Sequence, residues 1–278
     1  MYDKILAIVV TYFPDEELLR KNISAFIDDV DKVLIWENTP ENEKHQYRFI
    51  KNPKIEYHGD GVNNISHALN YGWRYAKDHH YDYLLTMDQD SLLENFRSYL
   101  QCTVYGNPPE GMWCPQINSE HNSELYQLRD STITSGLLAP VRLLDKAGGW
   151  NEFFAIDSVD TEFFSRIKFK GIPLYGIGSC RLIQKFGDPK TVKFLGKSFE
   201  LRNDSPERLY YIYRNYVIVM RMYPSKTLRI GFQKVWLRKI KWILFFEEKG
   251  FKKACAIFKG IKDGFRHDLR SVSLCTQL

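Results

Sequence analysis

Four short runs rich in β-branched and aromatic residues, Ile5 to Val10, Lys32 to Trp36, Ile55 to His58 and Tyr83 to Met87, alternate with longer segments of helical period. In Glu16 to Val30 the apolar positions are Leu18, Leu19, Ile23, Phe26 and Ile27, and in Ile65 to Lys77 they include Ala68, Leu69 and Trp73. Three-and-four spacing makes a stripe on a helix, whereas short continuous apolar runs suit buried strands. This order predicts an α/β fold, a parallel sheet covered by helices. Turns are supplied by Asn38-Thr39-Pro40, Gly59-Asp60-Gly61 and Gly106-Asn107-Pro108-Pro109. A sheet of that kind binds ligands outside the carboxyl ends of its strands.

One of those ends carries chemistry. The run Tyr83-Leu84-Leu85-Thr86-Met87 stops at Asp88-Gln89-Asp90-Ser91. Alternate residues of an extended chain point the same way, so both carboxylates are expected to face one site. A hard cation such as Mg²⁺ takes one or two protein carboxylates and completes its shell with water and phosphate oxygens. An Asp-x-Asp in an exposed loop is a common accident; its position after a buried strand gives this one its meaning.

A second acidic cluster lies in Phe153-Phe154-Ala155-Ile156-Asp157-Ser158-Val159-Asp160-Thr161-Glu162-Phe163-Phe164. A helix starting near Ser158 makes Asp157 its expected N-cap and puts Asp160 and Glu162 in its first turns. Three carboxylates hemmed by four phenylalanines form a desolvated acidic pocket, where a raised pKa suits one carboxylate to act as a base. Asp160, with Asp157 beside it, is the catalytic candidate. A metal-bound diphosphate and a lone carboxylate base together suit displacement at a carbon bearing that diphosphate, as in transfer from a sugar nucleotide to a hydroxyl.

Six segments, in order and spacing, resemble the family 2 inverting glycosyltransferases: Val9-Val10-Thr11-Tyr12-Phe13-Pro14, Trp36-Glu37-Asn38-Thr39, Ala68-Leu69-Asn70-Tyr71-Gly72, Met87-Asp88-Gln89-Asp90-Ser91, Thr134-Ser135-Gly136 and Asp157-Ser158-Val159-Asp160-Thr161-Glu162. The similarity runs over residues 4 to 220 and is greatest to the bacterial rhamnosyltransferase branch. It implies a GT-A fold, whose nucleotide-binding half is a Rossmann-like sheet with helices on both faces. Thr11, Tyr12, Glu37 and Asn38 would hold the base and ribose of the donor, Asp88 and Asp90 the ribose-diphosphate and its Mg²⁺ or Mn²⁺, and Asp160 would be the base. Asn64 stands at a donor-side position where the family has glycine, and asparagine tolerates left-handed backbone. Gln184, in Ile183-Gln184-Lys185-Phe186-Gly187-Asp188, replaces a family histidine that the resemblance makes a candidate third metal or diphosphate contact. An amide oxygen is a weaker ligand than imidazole for Mn²⁺.

Charge divides the chain. From Ser205 onward there are 16 Lys/Arg against 5 Asp/Glu, while the remainder is acidic. The expected organisation is a catalytic domain over residues 1–204 and a basic helical region over 205–278. In that region Trp236-Leu237-Arg238-Lys239-Ile240-Lys241-Trp242 interleaves aromatics with cations, as interfacial helices and nucleic-acid binders do. With no nucleic-acid module in view, an anionic membrane surface is the expected partner and nucleic acid is not; a purely packed helical subdomain is the alternative. The apolar run Trp242 to Phe246 is far shorter than the ~20 residues of a membrane span. Five scattered cysteines with no Cys-x-x-Cys pair point to a reducing cytoplasm.

The expectation is thus a cytoplasmic enzyme, peripheral at the inner face of the membrane. It moves L-rhamnose from dTDP-L-rhamnose, or a sugar from a UDP-sugar, to a surface glycan or its lipid-linked precursor. Two rivals share its residues: a metal-dependent phosphodiesterase or nucleotidyltransferase, and a catalytically silent nucleotide-sugar-binding subunit.

Overall fold

The computed structural model describes residues 3–119, 124–185, 190–194, 197–201 and 204–273, with side chains for all of these but 44, 45, 190–194, 197–201, 233–239 and 273. Phe186-Gly187-Asp188, Cys275 and the side chains of Trp236 to Lys239, all used above, lie outside that description. The chain forms two compact units, residues 1–184 and 185–274.

The first unit opens with strands β1 (Ile5–Thr11), β2 (Lys32–Glu37), β3 (Ile55–His58) and β4 (Tyr83–Asp88), and helices α1 (Glu16–Ser24) and α2 (Ile65–Asp78). Then come β5 (Leu92–Glu94), α3 (Phe96–Thr103), β6 (Met112–Ile117), β7 (Tyr126–Leu128), β8 (Leu138–Pro140), α4 (Val141–Ala147), α5 (Val159–Phe169) and β9 (Leu174–Ile183). The sheet order is β3-β2-β1-β4-β8-β6-β9-β5, with β7 paired to β9. β3, β2, β1 and β4 are parallel, as the alternation predicts, and β8 runs antiparallel to β4. Helices cover both faces. Ile5, Ala7, Val9 and Met87 pack with Leu19 and Ile23 of α1 and Tyr99 and Leu100 of α3. On the other face α2 lies so close that a Cβ on Gly72 would stand 2.7 Å from Ile8 Cδ1. Full burial of each such aliphatic chain is worth about 1.5–3 kcal/mol.

Two expected elements are shorter in the structure. The helical spacing of Glu16 to Val30 resolves into α1 and a 3₁₀ turn at Ile27–Asp29. Phe26, at φ −140°, breaks the helix there, yet the turn keeps Phe26, Ile27 and Val30 in the core, so the apolar pattern outlasts the helix. The run Ile133 to Ala139, which its composition leads one to expect as a strand throughout, is a strand only from Leu138. Upstream of it Gly136 has φ +82°, and the backbone there serves bonds described below.

The second unit holds a hairpin, β10 (Lys190–Phe194) with β11 (Lys197–Leu201), and helices α6 (Pro206–Met222), α7 (Lys226–Phe246), α8 (Gly250–Arg266) and α9 (Leu269–Ser273). Ser205 caps α6 by accepting from Arg208 N at 3.1 Å, with Pro206 in the first turn where its missing N–H costs nothing. α6 and α8 touch backbone to backbone: a Cβ on Gly260 would stand 2.4 Å from Tyr210 O, and one on Gly264 2.7 Å from Arg214 O. Tyr213 is buried with Leu209, Ile243 and Ile257. Among the described residues no helix is long and apolar enough to cross a membrane.

Candidate active site

The carboxyl edge of the parallel strands gathers the predicted residues. Thr11 ends β1, and its hydroxyl donates to Trp36 O at 3.2 Å while its carbonyl accepts from Asn38 N at 2.8 Å. Glu37 and Asn38, at the exit of β2, are both buried. Glu37 Oε2 accepts from Arg48 at 2.6 Å, and Asn38 Oδ1 accepts from Trp36 Nε1 at 3.0 Å. Their other polar atoms, Glu37 Oε1 and Asn38 Nδ2, are buried and have no hydrogen-bond partner among the described residues. Such groups are costly to leave unsatisfied, which makes this edge a place for a polar ligand. Tyr12 is exposed beside Phe13, their rings 4.6 Å apart and edge to face.

Gln89, between the two aspartates, points the other way and fastens the exits of β1 and β4. Its Oε1 accepts from Tyr12 N at 2.6 Å and its Nε2 donates to Tyr12 O at 3.1 Å. With Gln89 so occupied, Asp88 and Asp90 are the carboxylates left at the exit of β4. Asn22 of α1, a residue the sequence reading passed over, donates to Asp88 O at 2.6 Å.

The segment Thr134-Ser135 joins the two acidic clusters. Asp160, in the first turn of α5, accepts from Thr134 N at 2.8 Å and from the Thr134 hydroxyl. Ser135 Oγ accepts from Asp88 N at 3.0 Å and donates to Ser91 Oγ at 2.7 Å. Ser91 donates to Gln184 Oε1, and Gln184 Nε2 donates to Asp90 Oδ1 at 3.3 Å. All donors in this chain run one way, from the Asp88 amide to the Asp90 carboxylate. Gln184 therefore offers Asp90 an N–H and spends its oxygen on Ser91, which makes it a residue that positions Asp90.

Desolvation, then the charges of Asp160 and Asp90, push the Asp88 carboxyl up to about 7. Burial raises Asp160 as well, and its bonds from Thr134 oppose that rise. A buried carboxyl that feels the charges of two neighbouring carboxylates is donor chemistry a hard divalent cation relieves. Asp88 and Asp90 fit such an ion. Among the described residues no three His, Cys, Asp or Glu side chains form a closed ligand set, so water and phosphate oxygens would complete the shell.

The second cluster differs from expectation in two ways. Ser158, not Asp157, is the N-cap of α5, at φ +72° and without a side-chain cap bond. Asp157 is only partly buried there. Glu162 leaves the pocket altogether: it is buried on the core side and paired with Arg166, whose Nε lies 2.9 Å from Oε1 and whose Nη2 lies 3.0 Å from Oε2. One helical turn separates Glu162 from Arg166, which lets the two pair, while Asp160 bonds to Thr134. Arg166 also donates to Ala147 O and Gly149 O, and it fastens α5 to the end of α4.

Asn64 is extended, at φ −137°, so no left-handed geometry arises there. It caps α2 by accepting from His67 N at 3.1 Å, and its Nδ2 donates to Glu152 O at 3.1 Å. Ser66 Oγ donates to Phe154 O, Ile65 N to Ala155 O and Asn70 Nδ2 to Trp150 O. The start of α2 thus holds the loop that leads to Asp160.

No family model matches the chain. Over 248 residues it is 26% identical to the dTDP-rhamnosyl transferase RfbF of Shigella flexneri, covering 80% of this chain and 81% of that protein. Two solved structures share its fold. GalNAc-T7 with UDP, GalNAc and Mn²⁺ superposes with a TM-score of 0.61 at 11% identity, covering 100% of this chain and 58% of that longer one. S. aureus TarS 1–349 with UDP-GlcNAc superposes with a TM-score of 0.53 at 10% identity, covering 95% and 81%. The chain is a glycosyltransferase of the GT-A fold, similar in sequence to a rhamnosyl transferase over four fifths of both chains.

Proposed function

We propose that the chain transfers L-rhamnose from dTDP-L-rhamnose, with inversion, to a hydroxyl of a surface polysaccharide or its lipid-linked precursor. The observation that carries the reading is the convergence of Asp88, Asp90 and Asp160 through Thr134-Ser135. The acceptor oxygen forms its bond to the anomeric carbon as the bond from that carbon to the diphosphate oxygen breaks. The hydroxyl proton passes to Asp160, and the nucleoside diphosphate leaves with the electron pair. Thr11, Tyr12, Glu37 and Asn38 hold base and ribose, where Glu37 Oε1 and Asn38 Nδ2 have no protein partner to lose. Asp88 and Asp90 would hold Mg²⁺ or Mn²⁺, which when bound would neutralise charge on the departing diphosphate. Asn64 supports the site through the loop it holds and Gln184 through Asp90, while Asp157 stands beside the base.

The rhamnosyl transferase relative supports the sugar, and the UDP complexes of the two similar folds support a nucleotide-sugar donor. Transfer is assigned to residues 1–204, and contact with an anionic membrane at the cytoplasmic face to the basic residues 205–278.

Thermal shift with a panel of sugar nucleotides, with and without Mn²⁺, tests this, because a ligand of the folded state raises apparent stability. A metal-dependent shift with dTDP-rhamnose is expected, lost in Asp90→Ala and kept in Asp160→Asn, which no longer transfers. A shift only with UDP-sugars would replace the donor. A shift with donor but no turnover on any acceptor would mean a silent subunit. Solvent oxygen appearing in the nucleotide product would mean cleavage at phosphorus.

A further inference from the structure

Buried and exposed positions separate along α8. Lys253, Ala254, Ile257, Gly260 and Gly264 are buried, the two glycines against the backbone of α6. The other side carries Phe251, Phe258 and Phe265, which are 78%, 54% and 53% exposed. Seven-residue spacing drifts only ~20° per step on a helix, so the three rings lie along one line. Lys252, Lys259, Lys262 and Arg266 are exposed beside them. The one acidic residue of the helix, Asp263, is turned to Tyr210, whose hydroxyl donates to it at 2.9 Å. The outward face of α8 is therefore a phenylalanine line bordered by cations and free of carboxylates. At the end of α7, Leu244 and Phe245 are exposed as well.

The line ends at a recess. Phe265 forms one wall of a cavity of about 670 Å³, with Met220 and Phe232 as further apolar wall and Arg221 and Arg229 as cations. Apolar walls with guanidinium groups suit a molecule that is hydrocarbon at one end and phosphate at the other. Nucleic acid would be met by the cations but has no use for such a recess.

We propose that the outward face of α8 seats this protein on an anionic phospholipid bilayer, the phenylalanines entering the boundary between headgroups and acyl chains and the cations meeting lipid phosphates. This deepens the membrane-surface part of the function proposed above, on which it rests, by naming the face that touches lipid.

Co-sedimentation of the full chain with vesicles of phosphatidylcholine alone, or with phosphatidylglycerol added, tests it. Binding is expected to the anionic vesicles and to fall steeply with salt. Phe251→Ser/Phe258→Ser should weaken binding roughly a hundredfold, about tenfold for each ring withdrawn from the interface, and Lys252→Glu/Lys262→Glu should weaken it about tenfold or more. Circular dichroism should be unchanged in both, since all four side chains are exposed. Undiminished vesicle binding by these variants, or none by the parent protein, would overturn the assignment. So would random-sequence RNA or a second copy of the chain binding through the same residues, read by gel shift and light scattering. Donor thermal shift on the same samples separates the two readings. A protein that binds vesicles but no sugar nucleotide keeps this face and loses the donor reading, and the reverse pattern overturns the face alone.

Discussion

Asp160 Oδ1 accepts both the backbone N–H and the hydroxyl of Thr134, the residue immediately before the serine that receives the Asp88 amide. The proposed proton acceptor and the proposed diphosphate end are thus tied to neighbouring residues. Hydrogen bonds to a charged group contribute about 1.5–3 kcal/mol. Thr134→Val should lower transfer roughly 10- to 100-fold at neutral pH and move the acid limb of the rate profile upward. Thr134→Ser should keep both near the parent values. An unmoved profile in the valine variant would remove Asp160 from the base role.

Gln184 positions Asp90, and its replacement should be read in metal affinity. Gln184→Ala removes the donor to Asp90 Oδ1 and should weaken Mn²⁺ binding ~10-fold or more, as loss of an outer-shell partner does. Gln184→His, which offers imidazole in its place, should tighten it. Free Mn²⁺ followed by electron paramagnetic resonance measures both, and equal affinity in the alanine variant would show that Asp90 needs no such support.

Stability without metal should fall as pH rises from about 4 to about 7. Asp88 binds its proton more readily folded than unfolded, so its contribution is fully present below the ordinary carboxylate value and is lost as pH passes through the folded value of about 7. Asp160, also raised by burial, acts in the same direction. Denaturant midpoints across this range check the slope, and Asp88→Asn should flatten it.

Arg166→Met should destabilise the first unit by about 3–5 kcal/mol, because Glu162 would remain buried without its cation. Urea unfolding measures this. The double change Glu162→Met/Arg166→Met should recover most of the loss.

The sequence displays the first half of the sheet because β1, β2 and β4 are buried on both faces and read as continuous apolar runs, while β3 is a half-buried edge strand. It displays α3, β6 and β9 poorly. β6 contains Pro115 and a register shift at Pro115/Gln116, and β9 pairs with three strands in both directions, so neither has a simple period. Asp88, Asp90 and Asp160 are legible as carboxylates at element ends. The partners that set their geometry, Asn22, Ser91 and Thr134, are polar residues whose bonds span distant positions, and Glu162 resembles its neighbours until the helix turns it inward.

The fastening of loop 150–155 to the start of α2 has a consequence for modularity. Asn64, Ile65, Ser66 and Asn70 bind its carbonyls, so the loop and that stretch of helix are two halves of one graftable part. A chimera that imports residues 150–158 from a relative to change its acceptor must import 64–70 with them. Moved alone, the new loop would meet a strut cut for another shape, and Asp160 would be misplaced though never itself exchanged.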